Sequence, residues 1–284
     1  MTTGLVLGAG GAGAWVFHLG VLDALAEAGE DATRHRPVVG TSAGAVAGAM
    51  LLLGEDQDER VADWLRPPTA EDRKRVLGIV REQFTLRPAH RGLAQRLMAG
   101  APPLAAIAPL LPPGPFPHDG LAPWFDETDP IPEGLWIPAV TVEEAETVVF
   151  GKDRHDVGLV DALVATMAVP GTFQPKEIDG VLYMDGGTVS TTHAELLLDA
   201  EVERAVVSAP MARPDHGWVL RHAHRRYRHE VERLRVAGVE VIAVAPARDQ
   251  QDLFRGFPRR QAETAEAIRA HGRDQTLRAI DAAA

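Results

Sequence analysis

Apolar residues along this chain fall into short unbroken runs and longer helical stripes, and the two kinds alternate from the start. Leu5-Val6-Leu7 is a brief apolar run that predicts a buried strand. The glycine-rich stretch Gly8-Ala9-Gly10-Gly11-Ala12-Gly13 follows it. Trp15, Leu19, Leu22 and Leu25/Ala26 then recur at helical spacing, and Gly29 marks a stop. Arg36-Pro37-Val38-Val39 reads as a second strand, and Ala43 to Leu53 as a small-residue helix closed by Gly54. The order β-α-β-α predicts an α/β fold with a parallel sheet and helices on both faces.

The pattern changes between about Asp56 and Trp124. Leu93, Leu97 and Met98 suggest one more amphipathic helix, and Pro102, Pro103, Pro109, Pro112, Pro113, Pro115 and Pro117 interrupt a run of leucines. Residues 65–124 are therefore expected to be an irregular proline-rich cover. It serves either as a lipid-facing rim or as a surface connection whose leucines pack on the core. Strand patterns return at 135–142 and 146–151, a helix is expected over 158–168, and Asp179-Gly180 between Glu177-Ile178 and Val181-Leu182-Tyr183 signals a hairpin. A strand at 204–208, a helix over 216–237, a strand at 239–244 and a terminal helix over 260–270 complete the sheet, so that 212–284 extends it as helix-strand-helix. No repeat or linker divides the chain, and residues 1–284 read as one domain.

Composition narrows the function classes. The 284 residues are 45% hydrophobic and 24% charged, an ordinary globular balance. Cysteine is absent, which excludes disulfides and thiolate chemistry. The first residues show no basic leader and no run is long enough to span a bilayer, so the expected location is cytoplasmic, with peripheral contact at membranes. A net charge of −11 argues against nucleic acid as a partner. The basic cluster Arg221 to His229 reads as a solvated helix face. The eleven histidines read mostly as surface or capping residues.

Gly40-Thr41-Ser42-Ala43-Gly44 is a G-x-S-x-G between a strand and a helix. A serine in such an elbow sits in a strained backbone conformation, and small residues are required at the flanking positions Gly40 and Gly44. The glycine loop before it admits three readings. As a dinucleotide cradle it lacks the acidic residue expected at the end of the second strand. As part of a Ser-His-Asp α/β-hydrolase, with Ser42, Asp185 and His193, it has too few strands ahead of the elbow. As an oxyanion hole it aims the N–H groups of Gly10, Gly11 and Ala12 at negative charge, beside Ser42 on the same edge of the sheet. A base is then needed, and Asp185, in the turn Asp185-Gly186-Gly187, is the candidate.

Taken together, Gly10-Gly11-Ala12-Gly13-Ala14 with Leu19-Gly20-Val21-Leu22, then Gly40-Thr41-Ser42-Ala43-Gly44, then Met167-Ala168-Val169-Pro170-Gly171 and Asp185-Gly186-Gly187 resemble the patatin-like phospholipase family, from about Leu5 to Val207. The resemblance implies a three-layer α/β/α sandwich around a central, mostly parallel sheet. It also implies a Ser42–Asp185 dyad and hydrolysis of acyl esters of lipids: phospholipid, lysophospholipid or acylglycerol. No metal and no organic cofactor is required, and contact with a membrane or micelle surface would be transient. Gly13 stands where the family usually has a basic residue, Ala14 where it has glycine, and Ala9 replaces a frequent glycine, so one anchor for a lipid phosphate is missing. The other readings are a Ser-His-Asp esterase and a non-catalytic lipid-binding protein that retains the fold.

Overall fold

The structure, a computed structural model, describes residues 2–65, 105, 106, 108, 114, 124–214, 217–255 and 258–283. In chain order its main elements are β1 (Thr3–Leu7), α1 (Gly11–Glu27), β2 (Val38–Gly40), α2 (Ala43–Leu53), α3 (Gln57–Leu65), β3 (Leu135–Thr141), β4 (Thr147–Phe150), α4 (Leu159–Met167), β5 (Lys176–Ile178), β6 (Val181–Asp185), β7 (Arg204–Ser208), α5 (Gly217–Val236), β8 (Glu240–Val244) and α6 (Pro258–Asp281). This is an α/β fold with a central mixed sheet flanked by helices. The chain divides into two compact units, Met1–Arg66 with Pro132–Trp136 and Ser190–Ala284, and Pro67–Ile131 with Ile137–Val189.

The first unit holds the parallel pairings. β1 pairs with β2 on one side and, along its whole length, with β7 on the other, and β7 pairs with β8. The first residues of β3 join beside β2, Leu135 opposite Val38. Leu5, Val6 and Leu7 are all fully buried, which is why this strand is a continuous apolar run rather than an alternating one. On one face Val6, Val39, Val207 and Val241 pack with Tyr227, Val231 and Leu234 of α5. Small residues bring α2 down on the strands: a side chain at Gly48 would press on Val38 and Leu135, each 3.1 Å away. Gly54 closes α2 in the left-handed conformation at φ 71, with its N–H bonded to Leu51.

α1 departs from its expected single stripe. Every residue from Ala12 to Val21 is buried, whereas Leu22 is only partly so and Ala26 is exposed. The reason is α6, which crosses α1 so closely that a Cβ on Gly20 would lie 2.0 Å from the Arg269 carbonyl oxygen, and one on Gly272 2.4 Å from that of Phe17. Arg269 adds a two-pronged bond to Asp23. α6 is also longer than the 260–270 expected from sequence, running to Asp281. Gly20 and Gly272, the latter two residues past the expected end, are the positions that allow the close crossing.

The second unit is antiparallel. The later residues of β3 pair with β4 and with β6, Ala139 opposite Asp185, and β5 pairs with β6. The β5–β6 hairpin turns at Asp179 (φ 50) and Gly180 (φ 78), both in the left-handed region that a tight two-residue turn demands. Asp179 is held by Arg154 at 2.6 Å. Ala105 and Ala108 pack on Val140 and Met184. The rest of the 65–124 cover, with its leucines and the amphipathic pattern around Leu97, lies outside the described residues apart from Leu65, Ala106, Gly114 and Trp124.

Candidate active site

In the first unit, the turn after β1 and the turn after β2 sit side by side. Thr41 donates its N–H to the Leu7 carbonyl at 3.0 Å, and a Cβ on Gly44 would lie 1.9 Å from that same oxygen. A Cβ on Gly40 would lie 2.5 Å from the Ala45 Cα. Neither position has room for a side chain. Between them Ser42 adopts φ 54, ψ −124, a conformation costing a non-glycine residue about 1–3 kcal/mol. It is 7% exposed, and α2 begins at the next residue.

The glycine loop leads into α1, which starts at Gly11 with no side-chain cap. Gly10 (φ 147) and Gly11 (φ 66) both take positive φ. The N–H groups of Gly10, Gly11 and Ala12 make no hydrogen bond among the described residues, as the first N–H groups of a helix have no acceptor within it. A Cβ at Gly11 would meet nothing within 4 Å, so the loop opens outward there. The preceding residues are fixed, with Gly8 N–H bonded to Ser208 O at 3.0 Å and Ala9 N–H to Thr191 O at 2.7 Å.

Asp185 belongs to the second unit. It ends β6, is 4% exposed, and its Oδ1 accepts the Gly187 N–H at 2.6 Å, so that Gly186 and Gly187 form a tight turn around the carboxylate. Its own N–H bonds to Ala168 O at 3.0 Å. The segment Ala168-Val169-Pro170-Gly171 thus anchors the backbone of the aspartate. Among the described residues no group of His, Cys, Asp and Glu assembles as metal ligands, and no helix is long and apolar enough to cross a membrane.

Four histidines depart from the surface reading of the sequence. His18, His35, His193 and His271 are buried rather than surface groups. His18, on α1, lies 2.8 Å from both the Gly8 carbonyl and the Ser208 hydroxyl. A carbonyl only accepts, so Nε2 carries the proton and Nδ1 accepts from Ser208. Burial pushes its pKa down to about 4, against the opposing pull of the Gly8 carbonyl. His193 takes the left-handed conformation at φ 50, with Nδ1 3.3 Å from the Thr41 hydroxyl. Burial, with the charge of Arg226 behind it, lowers its pKa to about 3. Both imidazoles are neutral at physiological pH.

The basic cluster on α5 is partly a solvated face, as expected, since Arg221, Arg225 and Arg228 are exposed. Arg226 instead turns in to pair with Glu195 and with the fully buried Glu230. The run Ser190-Thr191-Thr192-His193, three residues past the Asp-Gly-Gly turn, was the available signal for that buried network.

Residues 5–198 match the family described as patatin-like phospholipase. Over 99% of its length the chain is similar in structure to VipD from Legionella pneumophila, at 14% identity and a TM-score of 0.49, covering 67% of that chain. It is likewise similar to the type III effector protein ExoU, at 16% identity and a TM-score of 0.42, covering 53% of that chain. No curated protein matches. With more than half of its length matched, the chain belongs to the patatin-like phospholipase family.

Proposed function

We propose that the protein is a serine hydrolase that cleaves acyl esters of lipids through a Ser42–Asp185 dyad. The observation that carries this reading is Ser42 itself, held at φ 54 in a strand–helix elbow beside a loop whose Gly10, Gly11 and Ala12 N–H groups have no other partner among the described residues. Family membership supports the lipid ester as substrate. Ser42 Oγ attacks the ester carbonyl while the Asp185 carboxylate takes its proton. The loop N–H groups receive the oxyanion, and losing one such donor costs about 3 kcal/mol of transition-state stabilisation. The proton then passes to the departing alcohol, and water, activated by Asp185, releases the fatty acid. An aspartate is a weak base in water, with an ordinary pKa of about 3.9, so the reaction needs the carboxylate withdrawn from solvent, as the 4% exposure of Asp185 allows.

Reaction with a fluorophosphonate probe tests the nucleophile: Ser42→Ala should lose all native-state labelling. Equal labelling of wild type and Ser42→Ala would end the enzyme reading in favour of a non-catalytic lipid-binding protein. Fatty-acid release from phospholipid, lysophospholipid and glyceride then ranks the substrates. A second reading makes His193 the base, and its support is the 3.3 Å approach of His193 to Thr41, next to the nucleophile. Full activity in Asp185→Asn together with loss in His193→Asn would establish that alternative.

A further inference from the structure

Glu230 is a carboxylate with no exposed surface, and its surroundings account for both of its oxygens. Oε1 accepts the Ser190 hydroxyl at 2.7 Å and the Arg226 Nε–H at 2.8 Å. Oε2 accepts the Thr192 hydroxyl at 2.6 Å and the Ala194 N–H at 2.9 Å. Ser190 Oγ in turn accepts the N–H groups of Thr192 and His193, at 3.2 and 3.0 Å. Four of the five residues from Ser190 to Ala194 are thereby fixed on one buried anion, including the left-handed backbone of His193.

This segment touches both halves of the site. The Thr191 carbonyl receives the Ala9 N–H at 2.7 Å, immediately before Gly10, and a Cβ on Gly8 would lie 2.9 Å from it. His193 reaches the Thr41 hydroxyl, immediately before Ser42. We propose that Ser190–His193, clamped by Glu230, is a strap that sets the glycine loop and the nucleophile elbow in register, making Glu230 a positioning residue for the reaction. The proposal rests on the reading of Ser42 and the loop given above. Its chemistry requires a carboxylate: each oxygen takes one N–H donor that cannot reverse its role, Arg226 on one side and Ala194 on the other. An amide in its place must present its NH2 to one of them.

The test is Glu230→Gln. Loss of register in the glycine loop is expected to lower kcat for an ester substrate by roughly ten- to a hundred-fold, with KM within about two-fold of wild type. Arg233→Gln, which removes only the outer pair with Glu195, should leave both constants unchanged. Amide hydrogen exchange supplies a readout that does not depend on activity. Peptides covering Ala9–Ala14 and Thr41–Ala45 should exchange faster in Glu230→Gln, while peptides from the end of α6 stay as in wild type. A folded Glu230→Gln with unchanged exchange in both segments overturns the strap, whether or not the protein hydrolyses esters. Unchanged kcat in a wild-type background that depends on Ser42 overturns its catalytic role. Should Glu230→Gln fold poorly, Thr192→Val deletes a single hydroxyl donation at constant shape and is expected to show the same pattern on a smaller scale. Inactivity of wild type, with no difference from Ser42→Ala, would count against the hydrolase and leave the exchange result to decide the strap.

Discussion

Stability at mildly acidic pH should depend on His18. Its imidazole is fully buried between Gly8 and Ser208, and its pKa falls from 6.5 to about 4 on folding. The unfolded chain therefore binds a proton in that interval which the folded chain refuses. The stability His18 contributes is fully present above pH 6.5 and is lost progressively as pH falls toward 4, with no further loss below that. Linkage converts the two pKa values into a loss of about 2 kcal/mol between about pH 7.5 and about pH 5. Urea unfolding at the two pH values, followed by circular dichroism, measures it for wild type and for His18→Gln. The variant should be weaker at pH 7.5, where its amide replaces a ring fitted to both partners, but its pH-dependent loss should be smaller than that of wild type by about 2 kcal/mol. Identical losses in the two proteins would refute the assignment of a neutral buried imidazole. The same reasoning gives His193, at about 3, a further loss of about 2 kcal/mol over the same interval.

The remaining predictions concern close approach and charge. Gly44→Ala places a methyl 1.9 Å from the Leu7 carbonyl and should cost about 1–3 kcal/mol in thermal or urea unfolding, with Ser42 labelling slowed in the protein that still folds. Gly20→Ala, 2.0 Å from the Arg269 carbonyl, forces α6 off α1 and should lower stability by a similar amount, about 1–3 kcal/mol, with faster exchange in α6. Glu30→Gln breaks a two-pronged bond to the buried Arg204 and should cost about 2 kcal/mol, whereas Arg255→Gln, from the exposed pair with Asp252, should stay within about 0.5 kcal/mol of wild type.

Local signals in the sequence carried the parts of the fold whose cause is local. Leu5-Val6-Leu7 and Ala43–Leu53 announce a buried strand and a close-packed helix by composition alone, and Asp179-Gly180 announces its turn by the φ values it must adopt. The limits lie where a residue's role is set by a partner far along the chain. The terminal helix reads as ending at residue 270 because nothing near Gly272 shows that Phe17 lies against it. His18 reads as one histidine among eleven because Ser208 is needed to define it. Glu230 disappears into a basic run, since charge in a sequence does not distinguish a solvated carboxylate from one whose oxygens are all bonded. For the proposed site, Ser42, the glycine loop and Asp185 stand out in the sequence as residue types in a characteristic order, but the buried network behind the loop does not.

The crossing of α6 on α1 bears on where this protein can be cut. The recognisable family segment ends at residue 198, before β7, α5, β8 and α6. A fragment trimmed to that segment would leave β1 with an open edge along its length, remove Glu230, and strip the cover from Phe17 and Gly20 on the helix that begins at the glycine loop. The stretch by which heredity is recognised is thus narrower than the stretch on which folding depends. Variation at positions 204–208, 230 and 272, far from every motif, should prove as poorly tolerated as variation beside the serine, and a deep mutational scan would show it as a second band of intolerance in the last third of the chain.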